Sequence, residues 1–283
     1  MPELPEVETI VRSLRSGGQF GPSVLHRRVD AAYVGWDRTI AEPDAENFKG
    51  LILGRKIEAI SRRGKFIVMQ LDEDYLLVHL RMSGDLRVEK AFDADGKALP
   101  VREHDRMVLT FADGYRLAFF NPRKFGRVWL TDDLAHLLGK LGPEPLDEHL
   151  TEEMFAGMLH RHQRQIKPLL MDQTFLAGMG NIYTDEALFG AGIHPLTRSN
   201  LLSETQAAVL LTEIRHVLQE GIRRNGSSID WAYRGGEFQN EFQVYQRTGE
   251  NCPVCSNPIE RIVVGQRGTH FCPHCQPLLY TGG

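Results

Sequence analysis

Apolar residues repeat with a helical period near the start of the chain and with a strand period after it. Residues 5–18 are predicted to form a helix, because Pro5 suits its first position and Gly17 and Gly18 follow its last apolar residue. Segments with the composition of strands follow at residues 66–71, 76–82, 107–111 and 116–120, with Asp113-Gly114 as a plausible hairpin turn. This half is predicted to be a β-sandwich with the first helix packed on it.

The helical period returns after a Gly/Pro-rich segment at residues 138–146. Thr151 can cap one helix, and Ser203 forms an S-x-x-Q capping box with Gln206 ahead of another. Between them, a glycine-rich turn enters a short helix. The predicted fold class is therefore α+β with two domains. The boundaries are a β-sandwich domain at 1–135, a linker at 136–150 and a helical domain at 151–283.

The composition is that of an ordinary globular protein, with 42% apolar and 25% charged residues in 283. The acidic N-terminus lacks the order of a signal peptide, so a cytoplasmic protein is expected. The net charge of −4 argues mildly against a nucleic-acid partner. Phosphates respond to local charge, however, and three basic clusters each lie beside an unusual motif. The clusters are Arg62, Arg63 and Lys65; Arg123, Lys124 and Arg127; and Arg161, Arg164 and Lys167.

All the cysteines of the chain lie near its C-terminus, with the spacing C-x2-C-x16-C-x2-C. They are Cys252, Cys255, Cys272 and Cys275. Four thiolates with no open position indicate one structural zinc ion, and two disulfides are the less favoured alternative. His270 and His274 can compete as ligands, although the four cysteines need neither. The residues between the cysteine pairs predict a hairpin with Arg267 at its tip, which suits either a DNA probe or a protein-binding ribbon.

The N-terminus offers a candidate nucleophile. Removal of Met1 leaves Pro2 with a free secondary amine, and an α-amino group titrates at about 7.7–8.0. Such an amine can attack a sugar C1′ and form a Schiff base, with Glu3 and Glu6 close enough to exchange protons. In isolation, a Met-Pro start followed by acidic helix-capping residues is equally ordinary.

Together these motifs resemble the bacterial formamidopyrimidine-DNA glycosylases. The resemblance runs in order along nearly the whole chain, through MPELPEVE (1–8), RRGKF (62–66), HLRMSG (79–84), NPRKFG (121–126), LGPEPL (141–146), IKPLLMDQ (166–173), GMGNIY (178–183) and the cysteine cluster. It implies a catalytic β-sandwich domain, a helix–two-turns–helix element and a zinc finger at about 245–278. It also implies double-stranded DNA with oxidised bases or abasic sites as the partner, and a monomer.

The resemblance implies a role for each matching residue. Pro2 would be the nucleophile, Glu3 the acid/base and Glu6 a supporting carboxylate. Lys65 would assist β-elimination and Arg267 δ-elimination. Further DNA contacts would come from His79, His104, His162, Lys167, Asn181 and Tyr183. Met82, Arg123 and Phe125 would fill the gap that an extruded nucleotide leaves. The alternative is that Met82 and Phe125 are core residues. Periodicity alone favours this for Met82, and only the motif reverses it.

Two positions depart from the family pattern. Asn121 stands where an aspartate is common, and the stretch that follows Ser227-Ser228, residues 229–242, is shorter than in relatives. The overall prediction is a bifunctional glycosylase and AP lyase for oxidised purines. An endonuclease VIII-type enzyme for oxidised pyrimidines and a non-catalytic zinc-ribbon DNA-binding protein are the alternatives.

Overall fold

The computed structural model describes residues 1–228 and 235–279, which fold as two compact units. The units comprise Met1–Lys140 and Leu141–Gly283. The break between them falls inside the segment 136–150. None of the helices in the described part of the chain is long and apolar enough to cross a membrane.

The first unit is a sandwich of two β-sheets with flanking helices. Its helices are α1 (Leu4–Ser16), α2 (Ala45–Ile52) and α3 (Leu134–Leu138). Its strands are β1 (Val29–Val34), β2 (Ile40–Glu42), β3 (Ile57–Arg63), β4 (Phe66–Leu71), β5 (Tyr75–His79), β6 (Asp85–Lys90), β7 (Asp105–Phe111), β8 (Tyr115–Phe120) and β9 (Arg127–Thr131). The predicted β-sandwich with a flanking helix is therefore confirmed.

The two sheets differ in strand order. One has the order β1-β7-β8-β6 and is antiparallel throughout. The other has the order β2-β9-β5-β4-β3, in which β2 and β9 form a parallel pair. Apolar side chains of both sheets are fully buried, among them Ile67, Met69, Met107 and Leu109. Because α1 packs against β3 and β4, the chain's N-terminus is held at this second sheet.

The second unit is helical and ends in a β-hairpin. Its helices are α4 (Glu152–His160), α5 (Ile166–Leu170), α6 (Asn181–Gly190) and α7 (Glu204–Arg223). The hairpin consists of β10 (Glu260–Val264) and β11 (Arg267–Phe271). The predicted caps are present: the Thr151 hydroxyl accepts from the N–H of Met154, and Ser203 and Gln206 form a capping box.

Two successive turns connect α5 to α6, and Gln173 holds them together. Its side-chain amide donates to the carbonyls of Met171 and Met179, and its oxygen accepts from the N–H of Gly178, each at 2.9 Å. Gly178 has φ +96°, a conformation that favours glycine. This is the predicted helix–two-turns–helix element, with Asn181 as the first residue of α6.

Candidate active site and nucleic-acid interface

The proposed nucleophile and acid/base lie at the N-terminal end of α1. Pro2 and Glu3 are buried, whereas Met1 is exposed. The backbone N–H of Glu3 donates to the Glu6 carboxylate at 2.8 Å, and the two residues form a reciprocal capping box. The helix therefore begins at Leu4, one residue earlier than predicted, and Glu3 is its N-cap. Capping holds the Glu3 side chain in place directly after Pro2.

Lys65 lies in the two-residue turn of the β3–β4 hairpin, yet its side chain is buried. Gly64 has φ +56°, which suits such a turn. The hairpin is joined to α1 because Arg62 pairs with Glu8 at 3.3 Å and donates to the carbonyl of Gly64 at 3.1 Å. The helix that begins directly after Pro2 and Glu3 thus also supports the turn that carries Lys65.

His79 is held as a neutral ring on β5. Burial, followed by the charges of Arg81 and Lys65, lowers its pKa from 6.5 to about 3. The N–H of Arg81 donates to His79 Nδ1 at 3.1 Å, so the ring proton lies on Nε2. Neutral His79 is therefore a hydrogen-bond donor of fixed orientation, which is a chemistry that suits a phosphate oxygen.

The proposed gap-filling residues project from two loops of the first unit. Met82, between β5 and β6, is 41% exposed, and Phe125, between β8 and β9, is 54% exposed. Arg123 is exposed on the same loop as Phe125. This exposure rules out the alternative that Met82 and Phe125 are core residues. His104 is half-buried beside Phe120, with ring centroids 5.8 Å apart.

Lys167 and Asp185 form an ion pair in the second unit, with both side chains 0% exposed and 2.5 Å between Nζ and Oδ1. The other Asp185 oxygen accepts from the N–H of His270 at 2.9 Å. Lys167 also donates to the carbonyl of Gly268 at 3.2 Å. A buried ammonium in this setting ties α5 and α6 to β11, and its contact with DNA stays a prediction.

Asn181 donates a hydrogen bond to the same carbonyl as Lys167. Its side-chain amide donates to the Gly268 carbonyl at 3.1 Å, so two side chains hold the peptide between Gly268 and Thr269. Arg267 is exposed at the first position of β11, next to the hairpin tip. The contacts therefore hold the backbone one residue beyond Arg267, whose side chain is exposed.

Tyr183 and His162 have contrasting environments. Tyr183 is fully buried and stacks on Phe238, with ring centroids 4.9 Å apart. Gly221 leaves the space that the Tyr183 ring occupies, since a Cβ there would lie 2.5 Å from Cε1. His162 is exposed, with its ring against Phe175. Of these two predicted DNA contacts, His162 alone presents its side chain at the surface of the unit.

The four cysteine sulfurs are arranged for one metal ion. All lie within 4.8 Å of one another, with 3.8 Å between Cys252 and Cys275 and 3.4 Å between Cys255 and Cys272. A tetrahedral zinc–thiolate site with bonds of about 2.3 Å requires sulfur separations of about 3.8 Å. His270 faces Asp185 rather than completing a ligand set with these sulfurs. The residues fit one structural zinc ion, which closes the base of the β10–β11 hairpin.

Two acidic residues of α6 were missed by the sequence analysis. Glu186 follows Asp185 and accepts from the backbone N–H groups of Gln243, Val244 and Tyr245 at 2.8–3.1 Å. Burial raises the Glu186 pKa, while these three N–H groups favour its charged form. The sequence signal for both is two adjacent acids in an otherwise apolar helix, TDEALF, where unpaired charges are rarely buried.

The predicted loop after Ser227-Ser228 is described only at its two ends. The Ser228 hydroxyl donates to the carbonyl of Gly236 at 3.0 Å. Its N–H donates to Gln239 at 2.9 Å. Residues 229–234, the first part of the predicted stretch 229–242, lie outside the described part of the chain.

Three family models match successive parts of the chain. They are described as the formamidopyrimidine-DNA glycosylase N-terminal domain at residues 1–128, the formamidopyrimidine-DNA glycosylase H2TH domain at 141–232, and a zinc finger found in FPG and IleRS at 249–278. Together they span both units and the cysteine cluster. The match confirms the predicted zinc finger and the helix–two-turns–helix element.

Similar proteins and structures agree with these models. The formamidopyrimidine-DNA glycosylase of Chloroflexus aggregans is 46% identical, and the match covers 99% of this chain and 100% of that protein. The formamidopyrimidine-DNA glycosylase of Protochlamydia amoebophila is 38% identical, and the match covers 98% of this chain and 99% of that protein. A crystal structure of wild-type Lactococcus lactis Fpg with DNA containing N7-benzyl-Fapy-dG superposes with a TM-score of 0.87 at 38% identity, covering 98% of this chain and 100% of that one. The chain therefore belongs to the formamidopyrimidine-DNA glycosylase family, and it is a DNA glycosylase of base excision repair.

Proposed function

We propose that this enzyme is a bifunctional glycosylase and AP lyase for oxidised purines, chiefly 8-oxoguanine opposite cytosine and formamidopyrimidines. The observation that supports the proposal is that Pro2 is buried and is followed directly by Glu3, whose carboxylate caps α1. Solved structures of similar proteins add support, because their DNA contains Fapy-dG in one and carbocyclic 8-oxo-G in another. An abasic site is present in a third.

The reaction begins once Met1 is removed. The lone pair of the Pro2 nitrogen forms a bond to C1′, the glycosidic bond breaks, and its electron pair leaves with the base, which takes up a proton. Glu3 protonates O4′ as the sugar ring opens, and loss of the nitrogen's proton accompanies formation of the iminium. The capping box suits this role, because Glu6 orients the backbone from which the Glu3 carboxylate extends.

Strand cleavage follows from the iminium. Loss of a C2′ proton expels the 3′ phosphate, and loss of the C4′ proton then expels the 5′ phosphate. Lys65 assists the first elimination and Arg267 the second. His79 holds a phosphate oxygen through Nε2–H. It does so at neutral pH without titrating, since its pKa is about 3.

The decisive experiment is covalent capture by borohydride. Reduction of the iminium should attach the DNA to the N-terminal peptide, in protein whose Met1 has been removed. The matched control retains one residue in front of Pro2, which converts the amine into an amide whose lone pair is delocalised. That control should lose both excision and lyase activity and still bind DNA. Normal excision by the control would place the nucleophile elsewhere, with Lys65 as the first candidate.

A second variant separates the roles of the N-terminal residues. Glu3→Gln keeps an oxygen that can accept the capping hydrogen bond, so α1 stays formed, but it removes the proton donor. Excision should fall by about 10²–10⁴-fold, while cleavage of a preformed abasic site partly survives. Parallel duplexes with 8-oxoguanine or thymine glycol test the substrate class. Preferred capture on thymine glycol would favour the endonuclease VIII-type alternative.

A further inference from the structure

Three surface loops of the first unit meet at one buried residue, Asn121. It is 1% exposed and directly follows β8, at the start of the loop that carries Arg123 and Phe125. Its backbone N–H donates to the carbonyl of His104 at 2.9 Å. Its own carbonyl accepts from Arg106 Nε at 3.0 Å and from the N–H of Lys124 at 3.2 Å.

The Asn121 side chain joins the two projecting loops to each other. Its Nδ2 donates to the carbonyl of Leu80, at the base of the loop that carries Met82, at 3.3 Å. Its Oδ1 accepts from the N–H of Gly126, at the far end of the Phe125 loop, also at 3.3 Å. One primary amide thus makes both contacts, one as a donor and one as an acceptor.

Two glycines leave the space that this amide occupies. A Cβ built on Gly84 would lie 2.9 Å from Asn121 Nδ2, and one built on Gly126 would lie 2.7 Å from it. Neither glycine has a positive φ, so lack of space rather than an unusual backbone conformation explains the absence of a side chain. The Leu80 carbonyl oxygen at Gly84 and the Phe119 ring at Gly126 restrict the space further, each at 2.4 Å from the built Cβ. The Asn121 amide is therefore closely packed against both glycines.

We propose that Asn121 is a positioning residue that sets the spacing of the Met82 loop and the Phe125 loop, so that both side chains enter DNA in register. The proposal rests on the proposed function, which gives Met82 and Phe125 their roles in DNA. In this chain the spacing depends on an amide, because the aspartate that is common at this position in the family can accept from Gly126 but has no proton to donate to the carbonyl of Leu80.

Asn121→Asp separates the two contacts. It keeps the acceptor for Gly126 and loses the donor to Leu80, so it should loosen the Met82 loop and leave the Phe125 loop held. Excision of the damaged base should fall about three- to tenfold more than cleavage of a preformed abasic site, which is the effect of one hydrogen bond. In a cycle with Met82→Ala, the double variant should be no worse than Met82→Ala alone.

A fluorescent base tests the other loop without any excision. 2-Aminopurine opposite a stable abasic analogue should report insertion of Phe125 equally in wild type and Asn121→Asp, and less strongly in Asn121→Ala, which loses both contacts. Because this readout needs only binding, it remains valid if the proposed substrate is wrong. Gln70→Glu, exposed on β4, adds the same charge away from these loops and should match wild type.

Three outcomes would overturn the proposal. They are an Asn121→Asp enzyme identical to wild type in the excision-to-cleavage ratio, equal losses on both substrates, or additive losses with Met82→Ala. If Asn121→Ala does not fold, the cycle between Asn121→Asp and Met82→Ala decides the question alone.

Discussion

Replacing Lys167 by methionine should destabilise the second unit strongly. The change removes the ammonium 2.5 Å from Asp185 and leaves a carboxylate in a site with no solvent exposure. Removing one partner of such a buried pair typically costs about 3–5 kcal/mol, more than the pair itself contributes, because the remaining charge stays desolvated. We therefore expect the free energy of opening of α6 and β11 to fall by about that amount.

Amide hydrogen exchange measures this loss where it occurs. Protection of the α6 and β11 amides reports opening of these elements, and the strands of the β-sandwich give an internal reference. The matched variant combines Lys167→Met with Asp185→Asn, which removes both charges and keeps an oxygen for the N–H of His270. Because no uncompensated charge is then buried, it should recover more than half of the lost protection.

The same pair of variants decides whether Lys167 binds a phosphate. A structural lysine predicts that the double variant binds DNA with an unchanged salt dependence. A phosphate contact predicts a salt slope lower by about one unit. The structural reasoning is refuted if Lys167→Met costs less than about 1 kcal/mol, or if neutralising Asp185 restores nothing.

Three other perturbations test separate parts of the molecule. One zinc ion per chain should be found, and chelation should abolish DNA binding by loosening the hairpin that carries Arg267; active protein without zinc would contradict this. Lys65→Ala and Arg267→Ala should each lower the salt slope of DNA binding by about one unit. An affinity that does not change with salt concentration would show that phosphate contacts are not the main source of binding. For His79, the folded pKa of about 3 lies below the unfolded value of 6.5, so its contribution is full above pH 6.5 and is lost as pH falls. Stability should drop by about 2 kcal/mol between pH 6.5 and 5, and His79→Gln should flatten that limb of a denaturation series.

Helices and strands were predicted well where the apolar residues of a segment follow a single helical or strand period. The strand predicted at 66–71 coincides with β4, and the four cysteines meet as their spacing indicated. The strand predicted at 76–82 ends early, at His79. Arg81 adopts a left-handed conformation with φ +55°, which apolar periodicity does not report, and this turn brings Met82 to the surface.

Long-range partners explain what the sequence could not predict. A basic cluster containing Lys167 suggested a phosphate contact, but its partner Asp185 lies eighteen residues away and meets it only in the folded unit. Asn121 was recognised as a departure from the family pattern. Its function as a link between loops depends on carbonyl and N–H groups of Leu80 and Gly126 that carry no residue-specific signal.

The way α6 holds the zinc finger has a consequence for how this region can evolve. Asp185 accepts a hydrogen bond from one main-chain N–H group on β11. Glu186 accepts from three main-chain N–H groups on the segment that leads into the finger. Main-chain groups are the same whatever side chains surround them. The surface residues of the finger can therefore change during evolution, or be replaced by those of another finger. The requirement is that the backbone keeps its path at the two segments that Asp185 and Glu186 bind.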